Sequence, residues 1–459
     1  MEGGARARDG GEGEAAAVFP ALPEVAQAAA PETEKSLHRF GFYRASLLRM
    51  PFTESDSRRC RHDFPALERT WNDRPLAYLD GPAGSQVPQR VIDAISGYYR
   101  TCNANAHGEF PTSRESDRLV HEAREAAAAF LNAPGWREIS FGQNMTTLNF
   151  ALSHALVREM KPKDEIVITQ LDHESNRGPW LNLRERGIIV REVALRRDGT
   201  LDPEDFARHV TERTRLVAVG LASNVLGTVN DISLARRLSR EVGAWLLVDA
   251  VHHAAHFPID VQALDTDFLL CSAYKLYGPH VGILATRPGL LERLRTDKLR
   301  TQEDEAPYRI ETGTLNHAAI AGVKASIEYI ASWGHGTTLR EKVHTAMTDI
   351  AAYEHGIAAH YFDAARQIPG VTVWGPDFST PHRAPTVSIT VDGVHPTAVA
   401  EKLGEEGLQV WDGHFYAVRA IEVLGLAESG GVVRTGICMY NLREEVDRLL
   451  EALAGIAAR

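Results

Sequence analysis

A lysine and an aspartate, each at the end of an apolar run, carry the clearest chemical signal in the sequence. Asp249 ends WLLVD within the segment VDAVHH, and Lys275 follows FLLCSA within the segment CSAYKLYGPH. Such runs are typical of buried strands, and open α/β sheets bind ligands at the carboxyl ends of their strands. A desolvated lysine there can form a Schiff base with a carbonyl, and a buried aspartate can pair with a protonated ring nitrogen.

Together these two residues predict a site for pyridoxal 5′-phosphate (PLP), whose aldehyde needs an amine and whose pyridinium needs a counter-charge. Lys275 alone would be interpreted as a surface-loop lysine, and the combination with Asp249 favours the cofactor site. A phosphate site is predicted in FGQNMTTLNFALSHAL at 141–156, which has the pattern strand, turn, helix. The N–H groups from Asn144 through Met145 to Thr147 would open a helix N-terminus, which binds phosphate groups, and Thr146 can add a hydroxyl donor. An ordinary helix cap explains the pattern equally well.

Short apolar runs alternate with helical patterns between residues 80 and 325, which predicts a mostly parallel sheet with helices on both faces. The strand-like runs are EIVIT at 165–169, LVAVGLAS at 216–223, WLLVDA at 245–250 and FLLCSA at 268–273, with helices expected at 113–131 and 232–242. The remaining patterns predict a smaller α+β domain. They are the helix-rich part at 317–366, the strands VTVWG at 371–375, TVSITV at 386–391 and GVVRTGICMY at 431–440, and helices at 396–406 and 441–459.

The order of these patterns predicts four parts of the chain. They are a disordered tail at 1–37, a lead-in to the small domain at 38–79, a PLP-binding large domain at 80–325 and a C-terminal small domain at 326–459. The fold class is therefore expected to be α/β, with a second α+β domain.

Composition limits the partners. The 459 residues are 44% hydrophobic and 24% charged, which is enough for a sizeable core. The net charge of −11 argues against nucleic acid. No apolar run approaches the roughly 18–20 residues of a membrane span, and early acidic residues argue against a signal peptide. Four cysteines without a CxxC motif argue against a disulfide framework or a metal site and favour a reducing cytoplasm.

Six motifs in sequence order resemble those of the PLP-dependent fold-type-I enzymes of the class V aminotransferase family, specifically the cysteine-desulfurase-like branch. The resemblance covers residues 80–455 and implies a large domain with a mostly parallel seven-stranded sheet between helices, followed by a smaller C-terminal α+β domain. The motifs are LDHESNRGPW at 171–180, SNVLGT at 223–228, VDAVHH at 248–253, CSAYKLYGPH at 271–280, ETGTLN at 311–316 and VVRTGICMYN at 432–441. Any one of them is a weak signal, whereas six in order are a strong one.

The resemblance implies a role for each matching residue near the cofactor ring. His173 would stack on the pyridine, and Asp249 would lie at the ring nitrogen. Asn224 would contact the 3′-oxygen, as would His252, which stands where desulfurases usually carry glutamine. Ser272 would bind the phosphate.

The resemblance also implies a shared site. Lys275 would be the Schiff-base lysine, and Arg434 would clamp the carboxylate of an amino-acid substrate. Gly313 and Thr314 would reach the phosphate of a partner subunit, which predicts a homodimer with shared active sites.

The chain departs from the branch in VWDGHFYAVRAIEVLG at 410–425, where desulfurases carry a mobile cysteine that accepts sulfur as a persulfide. Alignment of Gly413 and His414 with that loop puts Tyr416 at the cysteine position, and none of the four cysteines lies in the segment. Because a persulfide requires a thiolate, the sequence predicts an enzyme without a persulfide cysteine. Trp411, His414 and Tyr416 would line the side-chain pocket, and plain packing of aromatic residues is the alternative. Tyr274 is a second departure, since desulfurases often carry histidine there.

The predicted function is a PLP-dependent lyase that cleaves a C–S bond or another β-substituent of an amino acid, including β-decarboxylation with enamine capture. Its catalytic residues would be Lys275, His173 and Asp249. The alternatives are an aminotransferase, or a carbon–carbon bond-forming enzyme of natural-product biosynthesis, to which the neighbouring sub-branch points. A non-enzymatic scaffold would need neither Lys275 nor Asp249. No metal is expected, because the adjacent His252 and His253 would face opposite sides of a strand.

Overall fold

The computed structural model describes residues 51–458. The predicted tail at 1–37 and the predicted lead-in up to residue 50 lie outside the described residues. The strands are β1 (Thr70–Trp71), β2 (Arg74–Pro75), β3 (Ala77–Tyr78), β4 (Ile139–Gly142), β5 (Glu165–Thr169), β6 (Ile189–Val193), β7 (Thr214–Gly220), β8 (Trp245–Asp249), β9 (Phe268–Ser272), β10 (Gly282–Thr286), β11 (Val371–Trp374), β12 (Thr386–Val391), β13 (Leu408–Gln409), β14 (Trp411–Gly413) and β15 (Val432–Gly436). The α-helices are α1 (Glu54–Arg61), α2 (Gln89–Thr101), α3 (Pro111–Leu131), α4 (Met145–Leu156), α5 (Gly178–Leu181), α6 (Pro203–His209), α7 (Ser233–Val242), α8 (Val261–Leu264), α9 (His317–Ala331), α10 (Leu339–Ala365), α11 (Pro396–Glu405), α12 (Val418–Val423) and α13 (Arg443–Ala457).

Seven strands form the central sheet, in the order β4-β10-β9-β8-β7-β5-β6. The neighbours from β9 to β6 pair in parallel, whereas β10 pairs antiparallel with both β9 and β4. This confirms the predicted mostly parallel seven-stranded sheet. Because parallel strands end on the same edge of a sheet, the segments that follow β5, β7, β8 and β9 lie side by side.

The apolar runs of the central strands are continuous because both faces of the sheet are covered. Leu246 and Val248 of β8 pack into a core that includes residues of α3 and α9, whereas Leu247 between them packs into the core on the other face, which includes residues of α4. Alternation along a strand thus sends successive apolar side chains into two different cores. The sequence of such a strand is continuously apolar, so the strand is easily recognised.

A smaller antiparallel sheet follows, in the order β11-β12-β15-β14. Side chains from α10, α11 and α13 share its core, which confirms a smaller C-terminal α+β part. The short strand β3, from the predicted lead-in, pairs in parallel with β13, and Leu79 joins the same core. The boundaries assigned to the domains stay a prediction. None of the helices between residues 51 and 458 is long and apolar enough to cross a membrane.

The last strand is shorter than the predicted 431–440. After Gly436, whose N–H donates to the carbonyl of Leu79 (2.7 Å), the chain leaves the ladder, and the N–H of Ile437 donates to Pro385 (2.9 Å). Residues 437–440 are nevertheless buried. The apolar pattern there reports burial rather than strand structure.

Candidate active site

A cavity of about 980 Å³ lies where β5, β7, β8 and β9 end. Most of the residues predicted for the site line it: Asn144, Met145, Thr146, His173, Asn224, Asp249, His252, Ser272, Lys275, Trp411, His414, Tyr416 and Arg434. Gly313 and Thr314 do not line this cavity. Thr314 lines a neighbouring one of about 170 Å³ that also contacts Thr147.

Lys275 lies in a short 3₁₀ turn directly after β9, and its side chain is only 6% exposed. Its ammonium group donates to the carbonyl of Pro82. Burial lowers the pKa of Lys275 to about 7, and the positive charge of Arg434 acts in the same direction, against the carboxylates of Asp80 and Asp249. A substantial fraction of the side chain is therefore the neutral, nucleophilic amine at neutral pH.

Asp249 is the last residue of β8 and is buried at the floor of the cavity. Its Oδ1 accepts a hydrogen bond from the N–H of Val251 (2.9 Å). Burial raises the pKa of this carboxyl to about 6, opposed by the Val251 hydrogen bond and by the charge of Lys275. Asp249 forms no salt bridge within the part of the chain that the structure describes, although the charge of Lys275 acts on it. A buried carboxylate without a cation fits a ligand that carries a protonated nitrogen.

His173 follows β5, and its ring is held in place by Ser175, two residues further along the chain. Its Nδ1 accepts the N–H of Ser175 (3.0 Å) and lies 2.7 Å from the hydroxyl of the same residue. Burial lowers the pKa of His173 to about 3, and the charges of Lys275 and Arg434 add to that effect. The imidazole is therefore neutral at pH 7, and the hydrogen bond at Nδ1 assigns its proton to Nε2.

The N-terminus of α4 lies against the end of β9. Asn144 caps the helix, its Oδ1 accepting the N–H of Thr147 (2.9 Å), while the N–H of Met145 donates to the hydroxyl of Ser272 (3.0 Å). This close approach requires Gly282 on β10, because an added Cβ would lie 2.6 Å from the carbonyl oxygen of Asn144. The helix N-terminus, with Thr146 at the cavity wall, has the partial positive charge and the donors that a phosphate needs.

Asn224 and His252, which follow the adjacent strands β7 and β8, line the cavity, and each contacts the smaller C-terminal part. The side-chain amide of Asn224 donates to the carbonyl of Phe415 (2.9 Å). Nε2 of His252 lies 2.9 Å from the hydroxyl of Thr386, while its Nδ1 is buried without a partner among the described residues. Burial holds the pKa of His252 well below its ordinary value, so this ring too is neutral.

Arg434 projects from β15 and is almost fully buried. Its Nη2 donates to Asp80 (2.8 Å), and its Nη1 donates to the carbonyl of Asn224 (3.3 Å). The guanidinium also lies over the ring of Phe415, 3.9 Å from its centroid. Its Nε has no hydrogen-bond partner among the described residues, which leaves a buried donor for a ligand carboxylate.

The segment Trp411–Tyr416 forms the rim of the cavity. Trp411 lies opposite Arg434 in the β14–β15 pair. The Tyr416 ring lies 5.4 Å from that of His173, and the carbonyl of Tyr416 accepts the N–H of Glu174 (2.7 Å). This rim therefore touches the same residues that line the inner cavity, which favours pocket lining over unrelated packing.

The four cysteines are distributed away from this rim. Cys60, Cys102, Cys271 and Cys438 are all buried, and none of them lines the cavity. Burial raises the pKa of Cys271 to about 12 and also raises those of Cys60 and Cys438. None of these three thiols is a thiolate at neutral pH.

Two carboxylates of the site were not predicted. Asp172, inside the motif LDHESNRGPW, lines the cavity and accepts the N–H of Gly220 (2.7 Å). Asp80 ends the strand-like run LAYLD and holds Arg434. Asp172 had a signal, since it precedes the predicted stacking histidine, whereas the partnership of Asp80 depends on a contact between distant parts of the chain.

These observations define the class of protein. A buried amine with a lowered pKa, a buried carboxylate without a cation and a helix N-terminus at one cavity fit the aldehyde, ring nitrogen and phosphate of PLP. Together with the mostly parallel seven-stranded sheet and the smaller C-terminal part, they are the features of a fold-type-I PLP enzyme.

Comparisons with known proteins agree with this class of enzyme. The family Aminotransferase class-V matches residues 77–449. The chain is 34% identical, over 86% of its length and 97% of the relative's, to a cysteine desulfurase of Salmonella agona. In structure it is similar to the apo cysteine desulfurase of Thermococcus onnurineus, with a TM-score of 0.79 and 27% identity over 89% of this chain and 99% of the other. It is also similar to the cysteine desulfurase CsdA (S-sulfonic acid) of Escherichia coli, with a TM-score of 0.76 and 27% identity over 89% and 98%.

The chain belongs to the class V aminotransferase family and, within it, is similar to the cysteine desulfurases. It is an enzyme of the PLP-dependent kind, and its cofactor is PLP.

Proposed function

We propose that this chain is an amino-acid lyase that cleaves a C–S bond or another bond to a β-substituent without a persulfide cysteine. The observation that carries the proposal is the placement of the thiols: all four are buried and none lines the cavity. At the rim, where the alignment puts the cysteine of a desulfurase, stands the phenol of Tyr416. The proposal includes a homodimer in the cytoplasm, in which Gly313 and Thr314 reach the phosphate of the partner's site.

Bound PLP supplies an electron sink for negative charge at the α-carbon of the substrate. Lys275 holds the cofactor covalently and, when released, moves the proton at the α-carbon; a pKa of about 7 suits a general base and acid at neutral pH. Asp249 keeps a proton at the ring nitrogen, since a buried carboxylate without a cation is stabilised by a positive charge beside it.

The remaining residues of the site bind and orient the cofactor and the substrate. His173 covers one face of the ring as a neutral imidazole and excludes water there. The N-terminus of α4, from Asn144 through Met145 and Thr146, binds the phosphate together with Ser272. Arg434 binds the α-carboxylate of the substrate through its buried guanidinium.

Two side chains act at the oxygen of the ring. Asn224 and His252 contact the 3′-oxygen, and the buried Nδ1 of His252, which has no partner among residues 51–458, supports this placement. A buried polar atom without a partner is costly, so a ligand that supplies one is stabilised.

The first experiment identifies the reaction. Purified holoenzyme is incubated with single amino acids, and released sulfide, pyruvate and CO₂ are measured. We expect continued release of at least one product without an added keto acid. Conversion of the cofactor to its amine form, reversed by a keto acid, would instead identify an aminotransferase and contradict the proposal.

The second experiment tests the absence of a catalytic thiol. Iodoacetamide should leave the activity of the native holoenzyme unchanged, because all four thiols are buried and burial raises the pKa values of Cys60, Cys271 and Cys438. Tyr416→Cys is the positive control, since it places an exposed thiol at the rim and should be alkylated once per chain. Loss of wild-type activity in proportion to alkylation would refute the proposal.

A further inference from the structure

We propose that the substrate is an amino acid with an aromatic side chain, and that Trp411, Phe415 and Tyr416 are the residues that select it. The inference rests on the proposed function, because it places the substrate carboxylate on Arg434. It goes beyond that function by naming the substrate class.

The aromatic surface begins next to the carboxylate site. Phe415 lies directly under the guanidinium of Arg434, with 3.9 Å from Cζ to the ring centroid. Trp411 is the register partner of Arg434 across the antiparallel β14–β15 pair, and directly opposed residues project from the same face of a sheet. Both aromatic residues line the cavity together with Arg434, so a substrate whose carboxylate is bound by Arg434 lies beside them.

Tyr416 extends this surface over the inner cavity. Its ring lies 5.4 Å from that of His173, at an interplanar angle of 35°, which is within the range of contacting aromatic pairs. The tyrosine thus contacts the residue expected to cover the cofactor ring, and it lines the same cavity as Arg434.

The backbone holds these rings in place at a cost. Phe415 and Tyr416 both have left-handed backbone conformations, with φ of +53° and +59°, which side chains of this size rarely adopt. Two hydrogen bonds from cavity-lining residues fix the segment. The side-chain amide of Asn224 donates to the Phe415 carbonyl (2.9 Å), and the backbone N–H of Glu174 donates to the Tyr416 carbonyl (2.7 Å). Trp411 and Tyr416 still remain 53% and 65% exposed. Tyr416 is thus strained, anchored and exposed at the cavity mouth, which favours a binding role.

A second aromatic pair of the cavity lining and the cavity volume agree with a large apolar side chain. Tyr274 and His280, which both line the cavity, stack with 4.6 Å between their centroids and 14° between their planes. A cavity of about 980 Å³ is in the range that holds drug-sized ligands. It has room for the cofactor together with an aromatic amino acid.

The carboxylates of the rim and of the neighbouring segment after β5 already accept hydrogen bonds within the chain. The hydroxyl of Thr397 donates to Asp412 (2.6 Å), and Arg177 donates to Glu174 (3.1 Å). The segment Trp411–Tyr416 contains no lysine or arginine, so an acidic substrate side chain finds no such cation there, whereas an aromatic ring finds edges and faces to pack against.

The test measures binding of L-phenylalanine, L-tryptophan, L-alanine, L-cysteine and L-aspartate to the holoenzyme, from the change in cofactor absorbance before turnover. The aromatic amino acids should bind roughly tenfold or more tightly than L-alanine, since filling an apolar pocket is worth about that much or more. Trp411→Ala and Tyr416→Ala should each reduce this ratio severalfold. Trp71→Ala, which removes an equally exposed tryptophan (52%) that does not line the cavity, should leave the ratio unchanged.

The outcomes separate this inference from the proposed function. Binding of L-alanine, L-cysteine or L-aspartate as tightly as that of L-phenylalanine would overturn the aromatic selection, whatever the reaction. An aromatic preference that depends on Tyr416, without release of a side-chain product, would support the substrate class and overturn the lyase. An unchanged ratio in both rim variants would also overturn the inference, and the cofactor absorbance of each variant shows whether its site is intact.

Discussion

Asp80 and Arg434 form a buried ion pair, with 2.8 Å between Oδ1 and Nη2, although 354 residues separate them in the chain. Asp80 lies just after β3, next to the end of β15, to which it forms an isolated bridge at Gly436. The pair joins the N-terminal part of the described chain to the strand that carries the proposed carboxylate-binding residue. Asp80 is therefore a positioning residue for Arg434.

Replacement of Asp80 by asparagine should destabilise the protein. The change leaves the guanidinium of Arg434 buried without its counter-charge, and breaking a buried pair in this way costs about 3–5 kcal/mol. Urea unfolding should show this decrease in the free energy of unfolding. The control is Glu109→Gln, which removes the exposed ion pair with Arg114 and should cost less than about 1 kcal/mol. Equal effects of the two changes would contradict the role of Asp80.

Replacement of Lys275 by alanine should abolish covalent attachment of PLP. Borohydride reduction of the wild-type holoenzyme should fix the cofactor on the peptide that contains Lys275, which mass spectrometry identifies. The Lys275→Ala protein should retain no cofactor after reduction and denaturation. Lys342→Ala, on α10 and exposed, is the matched control and should label as the wild type does. Labelling of any other lysine in the wild type would refute the assignment.

The central strands could be predicted from the sequence because burial on both faces makes them continuously apolar. The runs at 165–169 and 386–391 coincide with β5 and β12. The same signal failed at 437–440, where the chain is buried but has left the sheet. An apolar pattern indicates that residues are buried away from water. It indicates a strand only where the hydrogen-bonded ladder of the sheet continues.

The site could be predicted where a functional residue stands at the end of such a strand, as Asp249 and Lys275 do. Asp80 could not be assigned, because its role arises only when β3 and β15 come together. The backbone of Phe415 and Tyr416 could not be predicted either, since nothing in their residue types indicates a left-handed conformation.

Asp249 should make the apoprotein less stable above pH 6. Burial raises the pKa of this carboxyl from its ordinary 3.8 to about 6, so the folded state binds the proton more tightly than the unfolded chain. Above pH 6 the folded protein carries the cost of a buried charge, about 3 kcal/mol, and this cost disappears as the pH falls toward about 4. Asp249→Asn should therefore raise the free energy of unfolding of the apoprotein at pH 8 while weakening PLP binding.

The control for this prediction is Asp392→Asn, which changes an exposed carboxylate and should alter neither quantity. Asp172 contributes in the same direction as Asp249, because burial and the charge of Asp249 raise its pKa to about 7. A stability of Asp249→Asn apoprotein below that of the wild type at pH 8 would show that the carboxylate is stabilised by the protein itself rather than held for a ligand.

Replacement of Gly282 by alanine should weaken the binding of PLP through the phosphate site. The added methyl group would lie 2.6 Å from the carbonyl oxygen of Asn144, and the N-terminus of α4 must move away from β10 to relieve that clash. A displacement there misaligns the N–H groups that bind the phosphate. Equilibrium titration of apoprotein with PLP should show a dissociation constant raised by roughly tenfold or more, the equivalent of losing one charge-assisted hydrogen bond.

Gly97→Ala, in α2, is the control, because an added Cβ there meets no atom within 4 Å and alanine favours a helix. It should leave PLP binding unchanged and the fold as stable or more so. Equal PLP affinities of the two variants would show that the phosphate is not bound at this helix.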